Sequence, residues 1–206
     1  MVFVKVCGIT SVSDARLAAR AGADAIGLVF AESPRRVTLR RAREIAEYLI
    51  PDNVRLVGVF VNEAPDVVVN IAREVGLDLV QLHGDESPET VAYLKGRGLR
   101  VMKALRVRDE GSIARLDDYG ADLFLLDAFS ERARGGTGEP FDWSAAKGLS
   151  GRANIVVSGG LSAENVAEAI EFFRPYGVDA SSGLEESPGV KDGEKVRRFV
   201  SAARGE

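Results

Sequence analysis

The most constraining feature of this chain is a repeated alternation. Short runs rich in Val, Ile and Leu give way, eight times in succession, to amphipathic stretches of helical period. The strand-like runs fall at 2–7, 25–30, 55–61, 79–82, 100–104, 123–127, 154–158 and 178–181. The helix-like stretches fall near 11–21, 38–49, 64–75, 87–96, 109–118, 142–147, 162–173 and 192–203. Strands apolar on both faces, each followed by a helix, pair in parallel rather than as hairpins. Eight such units closing on themselves predict an α/β fold, a (β/α)8 TIM barrel. At 206 residues the chain sits at the lower limit for that fold, so a single domain spanning 1–206 with short loops is expected. The rival is an open doubly wound sheet, which would carry a Gly-x-Gly-x-x-Gly turn after its first strand. Here the first strand runs into Cys7-Gly8-Ile9-Thr10.

The punctuation agrees. Thr10-Ser11, Ser87-Pro88-Glu89 and Ser162-Ala163-Glu164-Asn165 have the capping oxygens and early acids of helix starts. Gly22, Gly76, Gly98, Gly120 and Gly177 follow helices, where glycine can take the left-handed conformation that ends them. Four of these open a Gly-x-Asp triplet, at 22–24, 76–78, 120–122 and 177–179, each leading into an even-numbered strand. The triplets form a weak internal repeat of turn chemistry.

Composition narrows the function. The 27 basic and 31 acidic residues give a net charge of −4, with no basic excess to favour nucleic acid. Arg35, Arg36, Arg40, Arg41 and Arg43 cluster, the last three reading as a solvated helix face. Apolar runs such as VRLVGVFV fall far short of the ~20 residues of a membrane span. Met1 leads straight into a strand-like run with Lys5 inside it, so neither a signal peptide nor a membrane partner is expected, and the cytoplasm is. One cysteine and one histidine leave no disulfide and no multi-residue Cys or His metal centre.

In a barrel, chemistry sits where the strands end. Cys7, Arg35 and Arg36, Asn62, His83, Lys103, Asp127, Ser158-Gly159-Gly160 and Ser181-Ser182-Gly183 all fall there. The last two motifs follow strands seven and eight, and their glycines let backbone N–H groups approach an anion closely. Together they read as a phosphate site rather than as two tight turns. Cys7 reads as a small buried residue, a nucleophile paired with His83, or a general base. Asp127 reads as a loop cap or a general acid, Lys103 as a phosphate contact or a rim residue, and His83 as a substrate contact or a structural histidine. The stretch 128–141, rich in Gly, Arg and Glu, reads as a closing loop.

Lys5-Val6-Cys7-Gly8-Ile9-Thr10 resembles the opening signature of the phosphoribosylanthranilate isomerase family. The resemblance continues through Gly22-Ala23-Asp24-Ala25-Ile26-Gly27, Phe30, Ser33-Pro34-Arg35-Arg36, Val57-Gly58-Val59-Phe60-Val61-Asn62 and Gln81-Leu82-His83-Gly84. It ends with Leu125-Leu126-Asp127, Gly135-Gly136-Thr137-Gly138, Phe141-Asp142-Trp143, Ser158-Gly159-Gly160-Leu161 and Asp179-Ala180-Ser181-Ser182-Gly183. These motifs run in order along essentially the whole chain. The resemblance implies an isomerase of tryptophan biosynthesis that performs an Amadori rearrangement of N-(5′-phosphoribosyl)anthranilate. It implies Cys7 as general base, Asp127 as general acid and Arg36 on the anthranilate carboxylate. With it, Gly159, Gly160, Ser181, Ser182 and Gly183 are expected at the phosphate and His83 at the substrate. No cofactor or metal is expected, the partner is a phosphorylated small molecule, and the chain is a monomer or homodimer.

Three other readings compete. A Cys7–His83 enzyme of acyl transfer or hydrolysis would need both residues for turnover. A non-catalytic phosphosugar-binding barrel would need neither Cys7 nor Asp127. A broad-specificity isomerase that also takes a histidine-pathway aminoaldose usually offers two aspartates, where this chain has Cys7.

Overall fold

A computed structural model describes residues 1–49, 53–128 and 143–206. Eight parallel strands close into a barrel in chain order. They are β1 (Phe3–Cys7), β2 (Ala25–Val29), β3 (Arg55–Phe60), β4 (Leu79–Leu82), β5 (Val101–Val107), β6 (Leu123–Ala128), β7 (Ile155–Ser158) and β8 (Gly177–Ala180). The seam is closed by β1, which pairs with β2 on one side and β8 on the other. Around the sheet lie α1 (Val12–Arg20), α2 (Leu39–Leu49), α3 (Pro65–Val75), α4 (Pro88–Gly96), α5 (Val166–Phe173) and α6 (Gly193–Arg204). No helix among the described residues is long and apolar enough to cross a membrane.

Strand alternation sorts the side chains. Phe3, Ala25, Val57, Leu79, Met102 and Leu123 belong to one buried cluster inside the barrel. Their neighbours Val4, Ile26 and Phe124 face the helices and join a second, larger cluster.

The Gly-x-Asp repeat has a clear job at the N-terminal rim. Asp24 accepts from the Val4 amide at 2.7 Å while its own N–H donates to the Val4 carbonyl. Asp78 does the same with Leu56, and Asp122 with Val101. Each carboxylate satisfies the leading N–H of an odd strand, a group the ladder leaves over. The fourth triplet breaks the pattern. Gly177 is not a left-handed helix end: it lies inside β8, and Arg174 takes the left-handed position after α5 with φ of 45°. A Cβ on Gly177 would stand 2.6 Å from the Phe3 carbonyl, so this glycine serves close strand approach. Asp179 is consequently carried two residues into the strand and points inward. Gly22, Gly76, Gly98 and Gly120 do hold positive φ, as expected.

Two expected helices are different. The stretch 109–118 forms two 3-10 helices, Glu110–Ile113 and Leu116–Tyr119. An Asp109–Ser112 capping box closes the first tightly, and the apolar Ile113 and Leu116 sit three residues apart, the 3-10 repeat. The stretch expected as a helix over 142–147 is a 3-10 helix at Trp143–Leu149, with Trp143 tilted against Phe172 at 5.5 Å. The helix expected from 162 begins at Val166, because Asn165 folds back to bond the Ser162 amide and the Gly160 carbonyl. A small hairpin, β9 (Glu185–Ser187) and β10 (Val190–Lys191), stands between β8 and α6.

Candidate active site

The C-terminal rim surrounds a cavity of about 280 Å³, close to the low end of the ~300–1,000 Å³ common for ligand sites. Of the residues expected there, Cys7, His83, Asp127, Gly159, Gly160, Ser181, Ser182 and Gly183 line it. Their order around the barrel matters: Asp127 ends β6, the glycine loop follows β7, the Ser-Ser-Gly loop follows β8, and Cys7 ends β1. The two phosphate-type loops therefore stand between Asp127 and Cys7.

Cys7 is 8% exposed, and its sulfur has room because its partner across the ladder is Gly27. A Cβ on Gly27 would meet Cys7 Sγ at 2.6 Å. Burial pushes the Cys7 thiol up, and the positive charge of Lys5 opposes that. On the loop side, Gly159 and Gly160 hold φ of 90° and 68°, conformations that glycine adopts without strain. Neither N–H has a protein acceptor among the described residues. Gly183 lies so close to the β7 loop that a Cβ would stand 2.3 Å from the Leu161 carbonyl. The two loops are thus pressed into one wall.

His83 is not paired with Cys7. Its Nε2 lies 3.1 Å from Asp127 Oδ2 and its Nδ1 lies 2.9 Å from Gln81 Nε2. Both ring nitrogens are engaged, which leaves none for a Cys–His dyad. With the Gln81 amide donating to Nδ1, the imidazole hydrogen sits on Nε2 and donates to Asp127. Gln81 Oε1 is buried without a partner among the described residues. A half-turn of that amide would present Oε1 to Nδ1, so one side chain can serve either protonation state of the ring.

Two rim residues are not among those that line the cavity. Lys103 does not reach the phosphate loops. Met102 and Ala104 belong to the barrel interior, so Lys103 between them points outward, the period-2 rule deciding its side. Its ammonium, 1% exposed, bonds Glu86 at 2.8 Å and the Gly84 carbonyl at 2.7 Å. Arg36 is exposed beside Val29 and does not line the cavity, whereas its neighbour Arg35 does. Arg35 grips Glu185 with Nε at 2.8 Å and Nη2 at 2.7 Å, and Lys191 bonds the same carboxylate at 2.8 Å. The expected closing loop over 128–141 and the Gly135–Gly138 and Phe141-Asp142 motifs lie outside the described residues, apart from Ala128 at the end of β6.

Sequence reasoning missed four cavity or near-cavity groups: Arg35's clamp on Glu185, Gln81, Asp179 and Lys5. Gln81 and Asp179 were visible as the residues two before His83 and Ser181, the same-face positions of a strand. Lys5 was visible as the same-face neighbour of Cys7.

Comparison with known proteins points the same way. The sequence matches the family N-(5′phosphoribosyl)anthranilate (PRA) isomerase over residues 4–202. It is 64% identical over 206 residues to the N-(5′-phosphoribosyl)anthranilate isomerase of Rubrobacter xylanophilus, covering 99% of this chain and 100% of that one. The crystal structure of phosphoribosyl anthranilate isomerase from Thermotoga maritima superposes with a TM-score of 0.91 at 41% identity, covering 100% of both chains. A crystal structure of phosphoribosyl anthranilate isomerase in complex with reduced 1-(o-carboxyphenylamino)-1-deoxyribulose 5-phosphate superposes with a TM-score of 0.87 at 39% identity, covering 100% of both chains. With the rim geometry and these end-to-end matches together, the chain belongs to the N-(5′-phosphoribosyl)anthranilate isomerase family.

Proposed function

We propose that this chain converts N-(5′-phosphoribosyl)anthranilate to 1-(o-carboxyphenylamino)-1-deoxyribulose 5-phosphate, with Asp127 as general acid and Cys7 as general base. The observation that carries the reading is the order of groups around one cavity: acid, two anion-type loops, thiol. A phosphate held at Gly159, Gly160, Ser181, Ser182 and Gly183 would suspend the ribose between Asp127 and Cys7. That remote binding energy positions the reacting carbons.

The chemistry needs two proton transfers. Asp127 gives a proton to the ring oxygen as the C1′–O bond breaks, and the anthranilate nitrogen supplies the electron pair that forms the iminium. The ionised Asp127 then accepts the hydrogen bond from His83 Nε2, which stabilises the carboxylate. The iminium acidifies the C2′ proton. Cys7 thiolate takes that proton, and the C–H electrons form the enolamine, which tautomerises to the ketone. The iminium is the electron sink throughout. Each proton transfer is worth roughly 10²–10⁴ in rate. Arg36, with no ion pair among the described residues, supplies a planar fork suited to the anthranilate carboxylate, while Arg35 is committed to Glu185.

The test is a fluorescence assay. The substrate is generated in situ from anthranilate and phosphoribosyl pyrophosphate, and its decay is followed with wild type, Cys7→Ser and Asp127→Asn. Rapid decay with wild type, lost in both folded variants, is expected. Wild-type decay no faster than background, or a variant retaining full rate, overturns the corresponding assignment.

A further inference from the structure

The interior of this barrel holds a charge that the proposed chemistry does not yet use. Lys5 is completely buried, and a buried ammonium is costly unless paired. It sits on β1 two residues before Cys7, so both side chains point into the barrel, the ammonium one layer beneath the sulfur. Its Nζ bonds Asp179 Oδ1 at 2.9 Å, and its charge bears on the Cys7 sulfur two residues further along the same inward face. Asp179 is opposite Lys5 in the β1–β8 ladder, and Ser158 steadies its second oxygen at 3.3 Å. An apolar side chain would fill this place more cheaply, as Phe3 and Leu79 do in the layer below.

We propose that Lys5, anchored by Asp179, is a positioning residue whose ammonium supplies the counter-charge for the Cys7 thiolate. This deepens the isomerase reading and rests on it for its catalytic meaning. A thiolate as buried as Cys7 needs a positive neighbour fixed in place, since burial strips it of most of its solvation. The other charges bearing on Cys7 are Asp179 on β8, Lys191 on β10 and the Arg35 guanidinium beyond β2. Across the cavity stand His83 on the loop after β4 and Asp127 on β6. Lys191 and Arg35 are both spoken for by Glu185. Of the three cations, Lys5 is the one on the same strand and the same inward face as Cys7. Burial pulls the Lys5 ammonium down, but Asp179 and Cys7 together outweigh burial and keep it charged.

Because Cys7 is the only cysteine in the chain, thiolate absorbance near 240 nm, taken as the difference from Cys7→Ser, reads this group alone. Three backgrounds are compared across pH: wild type, Lys5→Met/Asp179→Asn and Asp179→Asn. The double variant removes both buried charges, so no orphaned ion is left to unfold the protein. Its thiolate midpoint should rise by about one pH unit, with kcat/KM down about tenfold near neutrality and recovering as pH rises. Asp179→Asn alone keeps the ammonium, so its midpoint should lie below that of the double variant. A neutral role for Lys5 predicts equal midpoints in these two, and an equal pair, or a folded double variant whose midpoint does not rise above wild type, overturns the inference. If the midpoints move but Cys7→Ser keeps the isomerase rate, the charge coupling stands and Cys7's role as base fails instead.

Discussion

At the bottom rim of the barrel, Asp24, Asp78 and Asp122 each hold the amide of a strand residue. At the top rim, Asp127 is held among the described residues by one bond from His83, and it lines a cavity. The side chain is the same and the strand ends are alike. What differs is whether the polar group is satisfied by the chain itself or kept for something else. A carboxylate with its partners built in is scaffolding, and one left partly free is available for proton transfer. The distinction also cuts within the top rim, where Lys103 and Glu86 satisfy one another and are structural.

The sharpest way to break this contrast is to exchange stability for rate. Asp127→Asn should lower kcat/KM by about 10²–10⁴-fold with an unchanged melting temperature. A variant that melts early but keeps its turnover would move Asp127 to the scaffold. Next in size is Lys103→Met. It strands Glu86 as a buried, unpaired charge and should cost roughly 3–5 kcal/mol in denaturant unfolding, with KM intact. A raised KM at full stability would return Lys103 to the substrate. The bottom rim should respond more mildly. Asp78→Ala, which removes one part-buried bond to the Leu56 amide, should cost about 1 kcal/mol and leave kcat and KM alone.

The smallest effect is on acid stability. Burial pushes the Glu86 carboxyl up, but bonds from Lys103 and the Asn62 amide outweigh it and hold the group below its usual 4.5. Glu185 behaves likewise under Arg35 and Lys191. A carboxyl depressed in the folded state lends its stability in full above the unfolded value and loses it as pH falls through the folded one. Thermal melts should therefore decline below about pH 4.5, and Glu86→Gln should show a shallower decline. An equal slope in the variant would mean Glu86 is not a source of the acid sensitivity.

Much of this was legible from residues alone. The eight strand positions follow from runs of β-branched and aliphatic residues and were placed to within a few residues. The surface reading of Arg40, Arg41 and Arg43 held too: each meets a glutamate on the helix surface, Glu44 or Glu74. The repeat showed as a pattern but not as a function, because a Gly-x-Asp triplet does not say which backbone amide its carboxylate will meet. The fourth copy looks identical in sequence and differs only because Gly177 is drawn into β8 against Phe3. Lys103 stays open between phosphate contact and rim residue until parity is applied: a residue at a strand end faces in or out according to its neighbours, and Met102 and Ala104 take the interior, which leaves Lys103 the rim. His83 was offered to Cys7 because no other base was in sight. Its pairing with Asp127 depends on two strands, β4 and β6, that one sequence cannot register against each other.

The pair Lys5–Asp179 spans 174 residues of chain across the β1–β8 seam. Contacts that distant carry a high closure entropy and belong to the last events of folding. Cys7 enters with the first strand, yet the wall of Ser181 to Gly183 enters only with the eighth. A half-barrel intermediate would thus hold a thiol with neither counter-charge nor anion cradle. The thiol, its counter-charge and the anion cradle come together only across the closed β1–β8 seam.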